Sequence, residues 1–389
     1  MPKRHSLDAV IIGAGIVGAA CAYYAARSGL TVAVVDRGPV AGGTTGAGEG
    51  NLLVSDKEAG PELDLALLST RLWRELSDAL PPDIEYEPKG GLVVAPDETT
   101  LKALRTFAEG QRAAGVTPEE IPGHRLADLE PHLAPGQAGG FLYPQDAQVQ
   151  PAKAAARLLA AAQAQTHLGE EVTHVLRDPT TGAVRGVRTP HRDLLAPIVV
   201  NAAGTWGAEI AHRAGAHLPV LPRRGFVLVT EPLPRVVRHK VYAADYIADV
   251  ASGSASLQSS AVVEGTPAGP VLIGATRERV GFDRALSTEA LRRLATQAAT
   301  LFPFLADVDI VRVYHGFRPY LPDHLPAIGP DPRVPGLYHA CGHEGAGIGL
   351  APATGALIAA ALTGTHPPLD PTPFSPARDF DDHAPGGDR

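Results

Sequence analysis

A chain of 389 residues is too long for one simple core and implies about two domains. With 44% hydrophobic and 20% charged residues its composition is that of an ordinary globular protein, and a net charge of −8 with scattered arginines excludes a surface built for nucleic acid. Two cysteines, Cys21 and Cys341, are too few for a disulfide scaffold, and without a C-x-x-C pair they offer no zinc or iron–sulfur ligand set, so no metal is expected.

The first residues lead directly into a strand with no apolar signal stretch, and the longest late apolar run, Ala356 to Leu362, is too short to span a bilayer. A cytoplasmic protein without a membrane span is the expectation. Val10-Ile11-Ile12 reads as a short apolar strand. Gly13-Ala14-Gly15-Ile16-Val17-Gly18 follows, then an Ala-rich helix carrying Cys21, then a second strand, Thr31 to Val35, ending in Asp36 and Arg37. Each glycine has a mechanical task. Gly13 permits the tight turn, Gly15 clears space for a pyrophosphate, and Gly18 lets the helix press on the sheet. The helix N-terminus favours an anion. Asp36 stands where a carboxylate accepts hydrogen bonds from ribose hydroxyls and would repel a 2′-phosphate. The stretch predicts a dinucleotide site.

The loop Ala41 to Asn51 is dense in glycine and hydroxyls (Thr44, Thr45, Gly48, Gly50), so its backbone N–H groups can converge on an anion or a flat ring. Leu63, Leu67, Leu68, Leu72, Trp73 and Leu76 share a helical face. Ile84 to Val94 reads as a hairpin or paired short strands, Glu98 to Ala114 as a helix ended by Gly115, and Gly140 to Tyr143 as a strand. Pro151 opens another helix. Strand character returns from Glu171 to Val187, and Leu194 to Val200 reads as one apolar strand running into the small-residue turn Asn201-Ala202-Ala203-Gly204-Thr205-Trp206.

Gly225 to Thr230, Val241 to Val250, Val271 to Ala275 and Ile310 to Phe317 read as strands, and Thr288 to Leu301 as a helix. The Ser/Gly/Ala-rich stretch Ala251 to Gly269 has little to bury and is expected to be a mobile loop. Gly336 to Cys341 is a strand, Gly342 to Gly347 a glycine turn, and Ile348 to Leu362 a helix. The expected fold is α/β: a Rossmann-like dinucleotide domain from residues 7–83, 150–222 and 330–365, and a mixed or antiparallel-sheet substrate domain from 84–149 and 223–329. Residues 366–389 form a loose tail. In Gly316-Phe317-Arg318-Pro319, a strand end and a proline would hold Arg318 rigidly, and its fork suits a carboxylate or a structural ion pair. His343 could bind substrate, shuttle a proton or hydrogen-bond within the core.

The opening glycine motif, Asn201 to Trp206, Gly316-Phe317-Arg318-Pro319 and Gly342-His343 through Leu350-Ala351-Pro352-Ala353-Thr354-Gly355 together resemble the FAD-dependent D-amino acid oxidase superfamily. Within it the chain looks most like the group of glycine oxidases, sarcosine oxidases and D-hydroxyproline dehydrogenase β-subunits. The motifs stand in the family's order from Asp8 to about Leu362. The resemblance implies non-covalent FAD, with the adenosine half along Gly13 to Gly18 and Asp36, Thr44 and Thr45 near the pyrophosphate, Val172 at the adenine, and Gly345, Ala346, Gly347 and Ile348 by the flavin. It implies that Arg318 grips a substrate carboxylate, that Tyr246 assists, and that a small amino or imino acid is oxidised at Cα–N by hydride transfer to flavin. Glycine oxidases carry a second arginine where Gly345 stands here, which leaves room for a bulkier or cyclic substrate. A dehydrogenase component passing electrons to flavin or iron–sulfur partner subunits is the alternative, together with a subunit lacking turnover of its own. A nicotinamide enzyme is disfavoured by the C-terminal return to the cofactor domain.

Overall fold

The computed structural model describes residues 6–247 and 254–380. Ala9–Ile12 is apolar at every position and buried at every position, as a central parallel strand must be. It pairs in parallel with Val32–Asp36 on one side and Ile198–Asn201 on the other. The full six-stranded sheet runs Ala327–Pro330, Leu337–Cys341, Ile198–Asn201, Ala9–Ile12, Val32–Asp36, Gln165–Leu168, and only its first pair is antiparallel.

Alternation along these strands divides their side chains between two cores. Ala9, Ile11, Val32 and Val34 join a core with the helices Ile16–Arg27 and Gly347–Thr363, whereas Val10, Ile12, Ala33 and Val35 meet the three-stranded meander His174–Arg177, Val184–Arg188, Asp193–Leu195. The two helices approach closely because their contact is built of small residues. A Cβ on Gly355 would lie 2.7 Å from the Ala20 carbonyl.

The second layer is an eight-stranded sheet in the order Ile310–Tyr320, Leu221–Pro232, Pro270–Arg277, Gln258–Gly265, Lys240–Ala243, Gly91–Ala95, Gly139–Tyr143, Glu119–Pro122. All its pairs are antiparallel except Lys240–Ala243 with Gly91–Ala95. The helix Thr288–Leu301, capped by Ser287, packs Leu294, Ala298 and Leu301 onto Leu228, Val263 and Ile273. The fold is thus the expected Rossmann-like layer beside a mixed, largely antiparallel sheet.

Several local expectations are corrected. The stretch expected as a loop from Ala251 to Gly269 begins with residues 251–253, which lie outside the described residues, and within the rest Gln258–Gly265 is an eight-residue strand in the middle of the larger sheet, with Ala261, Val262 and Val263 buried. Its flanking serines disguised it. The strand expected over Val241 to Val250 is Lys240–Ala243, followed by a turn at Ala244 and helical residues 245–247, and residues 248–250 lie outside the described residues. Leu194 to Val200 is split by Pro197 into strands of two different sheets, since proline cannot donate to a ladder. Between Ile84 and Val94 only Gly91 onward is strand, and Ile84 closes a short 3₁₀ turn. Leu67 and Leu72 are half-buried at the edge of the helix Pro61–Ala79. In the segment expected to be loose, Phe374 is fully buried and Arg378 pairs with Asp323.

Candidate active site

One elongated cleft runs from the first glycine turn to the junction of the two sheets. At its outer end Gly13 has φ +116°, and a Cβ there would stand 2.3 Å from the Ala202 carbonyl oxygen. Gly18 lies inside the fold, with its Cβ position 2.0 Å from the Gly13 oxygen. Gly15, Ile16 and Val17 line the cleft, and Gly15 caps the helix without a side-chain hydrogen bond. The Ile16 N–H donates to Thr45 Oγ1 at 3.0 Å. Asp36 accepts from the N–H groups of Ala14 and Gly38, both at 2.7 Å, so its carboxylate is fixed at the rim. Arg37 lies over the Trp206 ring at 4.0 Å, and Phe282 stacks on Trp206 at 5.4 Å. Val172, Ala202 and Gly204 complete this end.

The loop Gly43 to Asn51 forms the middle wall. Thr44 donates to the Phe317 carbonyl at 2.6 Å, as does Thr205, so Thr44 ties the loop to the larger sheet. Gly48 and Asn51 line the cleft. Gly50 is packed against the Val149 carbonyl and does not, and Ala346 serves as N-cap of the late helix. Gly345, Gly347 and Ile348 face the cleft, and Trp73 Nε1 donates to the carbonyls of Ile348 and Gly349 at 3.1 Å.

Arg318 and Tyr246 both line the inner end. Arg318 Nη1 donates to the Thr276 carbonyl at 2.8 Å, across Gly225, where any Cβ would strike the guanidinium. Burial, then the neighbouring Arg277, lowers the Arg318 pKa to about 10, which leaves the group charged at neutral pH. Tyr246 is buried, with the Tyr242 ring at 5.0 Å and the Arg277 guanidinium 4.7 Å from its own ring. Burial raises its hydroxyl pKa and keeps it protonated.

His343 is buried and 2.9 Å from Thr354 Oγ1. That hydroxyl donates to the Leu350 carbonyl, so it accepts from His343 Nε2–H, and Nδ1 is left as the acceptor. Burial pushes the imidazole down to about 3, so it is neutral at physiological pH. Cys341 donates to the Asn201 carbonyl at 3.1 Å, and burial pushes its thiol up to about 12.

Sequence reasoning missed Glu49 and Glu344, both on the lining. Glu49 accepts from Asn51 at 3.2 Å through Oε2, while its buried Oε1 has no partner. Burial raises its pKa. A charged residue set between Gly48 and Gly50, with Gly274 bare where a Cβ would clash with its carboxylate, was the available signal. Glu344 bonds Arg223 and His324 from the turn, at φ +46°.

The outer end fits a dinucleotide. The glycine turn, the helix N-terminus with no N-cap side chain and the fixed carboxylate occur together, and the buried, unpartnered oxygens of Glu49 and Asn51 stand further in. A family model for FAD dependent oxidoreductases (DAO) matches residues 8–361. The chain is 31% identical over 424 residues to hydrogen cyanide synthase subunit HcnC of Pseudomonas aeruginosa, covering 96% of this chain and 97% of the relative. It is 31% identical over 385 residues to glycine oxidase of Geobacillus kaustophilus, with coverage of 96% and 97%. The crystal structure of glycine oxidase from that species superposes with a TM-score of 0.86 at 28% identity, covering 96% of this chain and 99% of the other. L-proline dehydrogenase from P. horikoshii shares the fold, with a TM-score of 0.87 at 24% identity over 96% and 98% of the two chains. With its glycine turn, its two sheets and its motifs in register over nearly its whole length, the chain belongs to the DAO family of FAD-dependent oxidoreductases.

Proposed function

We propose that the protein oxidises the Cα–N bond of a small amino or imino acid whose carboxylate is held by Arg318 and supported by Tyr246. One observation carries the reading. The Arg318 guanidinium lies on the cleft, and its partner among the described residues is a neutral carbonyl rather than a carboxylate. A cation drawn out of water calls for an anion, and a carboxylate matches its fork. The Tyr246 hydroxyl, kept protonated by burial, offers a further donor.

The helix start at Gly15 to Val17, with Asp36, Thr45 and Trp206, would hold the cofactor's adenosine and phosphate portion, and Gly345 to Ile348 would flank its ring. Oxidation to the imine takes a hydride from the Cα–H bond as Cα–N becomes a double bond, and bound FAD would supply the acceptor for it. The chain's own residues supply position, which is a large part of catalysis. No side-chain base is required if the amine arrives neutral, and a neutral His343 engaged with Thr354 agrees with that. The imine then hydrolyses in water, or persists if cyclic. Gly345, with Arg318 Nε at 3.5 Å from its Cβ position, leaves space beside the carboxylate grip. That space suits D-proline-like as well as glycine- or sarcosine-like substrates. Glycine oxidase among the relatives supports the amino acid class. The subunit name of HcnC supports a second reading, in which the chain works in a hetero-oligomer and passes electrons to a partner.

The test is bleaching of the flavin band near about 450 nm without air, using glycine, sarcosine, D-proline, cis-4-hydroxy-D-proline and L-proline, and then opening the mixtures to air. Bleaching with rapid recovery and peroxide identifies an oxidase. Bleaching with slow recovery identifies a dehydrogenase awaiting another acceptor. No bleaching by any amino or imino acid overturns the proposal.

A further inference from the structure

Arg277 ends the strand Pro270–Arg277, next to the residue whose carbonyl anchors Arg318. It is 3% exposed, and its Nη1 is sealed from water without a hydrogen-bond partner. Its guanidinium lies 4.7 Å from the Tyr246 ring, which lines the cleft beside Arg318. Such a cation needs an anion, and no described carboxylate is joined to it by a hydrogen bond or an ion pair. Glu344 spends one oxygen on Arg223 and the other on His324. Glu49 is buried, with one oxygen on Asn51, and burial raises its pKa. Gln258, opposite Arg277 in the strand register, accepts from Arg223. Two guanidinium groups therefore flank Tyr246 with no carboxylate bound to either among the described residues.

We propose that Arg277 receives a second carboxylate of the substrate, so that the enzyme acts on amino or imino dicarboxylates. This rests on the reading of Arg318 as the grip for the first carboxylate. One carboxylate fills one fork, and a second fork a residue away along the strand from the Arg318 anchor demands a second acid group, on the side chain or on the amine nitrogen. The π face of Tyr246 beneath Arg277 holds that fork in place.

The experiment compares iminodiacetate, D-aspartate and D-glutamate with glycine, sarcosine and D-proline as reductants of the holoenzyme's flavin, in wild type, Arg277→Met and Arg277→Lys. Binding of malonate and glutarate against acetate is measured in parallel by titration calorimetry, a readout independent of turnover. Wild type should favour a dicarboxylate in kcat/KM by at least about tenfold and bind the best diacid at least about tenfold tighter than acetate. Arg277→Met should lower dicarboxylate kcat/KM about 10²-fold more than monocarboxylate kcat/KM, with Arg277→Lys between the two. If Arg277→Met fails to fold, as read from flavin content, the wild-type diacid preference and the lysine variant still decide. Equal preference for mono- and dicarboxylates, or equal losses on both in the variant, overturns the second-carboxylate assignment while leaving amino acid oxidation standing. No reduction by either class overturns the underlying reading as well.

Discussion

Single side chains offer separate handles on the proposed chemistry and on acid stability. Truncating Arg318→Ala should remove a charge-assisted fork worth roughly 3 to 4 kcal/mol in the bound state, so kcat/KM should fall about 10²- to 10³-fold while flavin content stays at the wild-type level. Unchanged kinetics would remove Arg318 from the site. Gly18→Ala acts differently. Its new methyl would start 2.0 Å from the Gly13 oxygen and push the glycine turn away from the sheet, so the purified protein should lose flavin and unfold at lower temperature. His343 carries a pH signature. Its folded pKa of about 3 lies below the ordinary 6.5, so the unfolded chain takes up a proton that the folded one refuses. The contribution is complete above pH 6.5 and shrinks as pH falls toward 3, by at most about 1.4 kcal/mol per unit. His343→Asn should flatten the fall in unfolding midpoint over that window, and a slope equal to wild type would show that the imidazole titrates elsewhere. Arg318 was legible in the sequence through its proline and strand end. Arg277 was not, because its neighbours come from strands that no local pattern pairs.

At the level of elements, legibility followed sequence distance. The opening strand, turn, helix and second strand are contiguous, so each signal reinforced the next. The strand Gln258–Gly265 was missed because it opens on a glutamine and two serines, and its place in the sheet is set by partners at Lys240–Ala243 and Pro270–Arg277. Those partners also explain a buried charge that looks misplaced in a strand. Glu264 is 2% exposed and pairs with Lys240, 1% exposed, directly across the ladder at 2.6 Å. Removing one partner leaves the other charged and dry. Lys240→Met should therefore cost about 3 to 5 kcal/mol, and the double variant with Glu264→Leu should recover most of it. Additive losses in denaturant unfolding would show that the pair is not coupled. The helix Pro61–Ala79 is held to the start of the late helix by the indole hydrogen bonds of Trp73. Trp73→Phe should cost about 1 kcal/mol, read in the same unfolding experiment.

Across the whole molecule the chain visits the six-stranded sheet three times. It leaves after Asp36 to build the Gly91–Tyr143 edge of the larger sheet, returns for Gln165–Leu168 and Ile198–Asn201, leaves again for Leu221–Tyr320, and returns through Ala327–Cys341. The cleft opens where the carboxyl ends of the parallel strands meet the Ile310–Tyr320 and Leu221–Pro232 strands, so the two visits to the larger sheet place Arg318 beside the glycine turns. The segment after the last helix belongs to this frame despite its Pro- and Asp-rich composition. Phe374 is fully buried in the core of the six-stranded layer, and Arg378 reaches Asp323 and the carbonyls of Leu325 and Pro326, just beyond the strand that carries Arg318. Composition counts apolar residues and missed the one that anchors. Phe374→Ala should destabilise the holoenzyme by about 3 to 5 kcal/mol, as an aromatic side chain lost from a packed core does. Asp323→Asn should raise KM more than it lowers kcat, because it loosens the turn that follows Tyr320 without touching the cleft lining. If thermal unfolding of Phe374→Ala matched wild type, the segment would be a passenger, and Arg318 would owe its placement to the two strands alone.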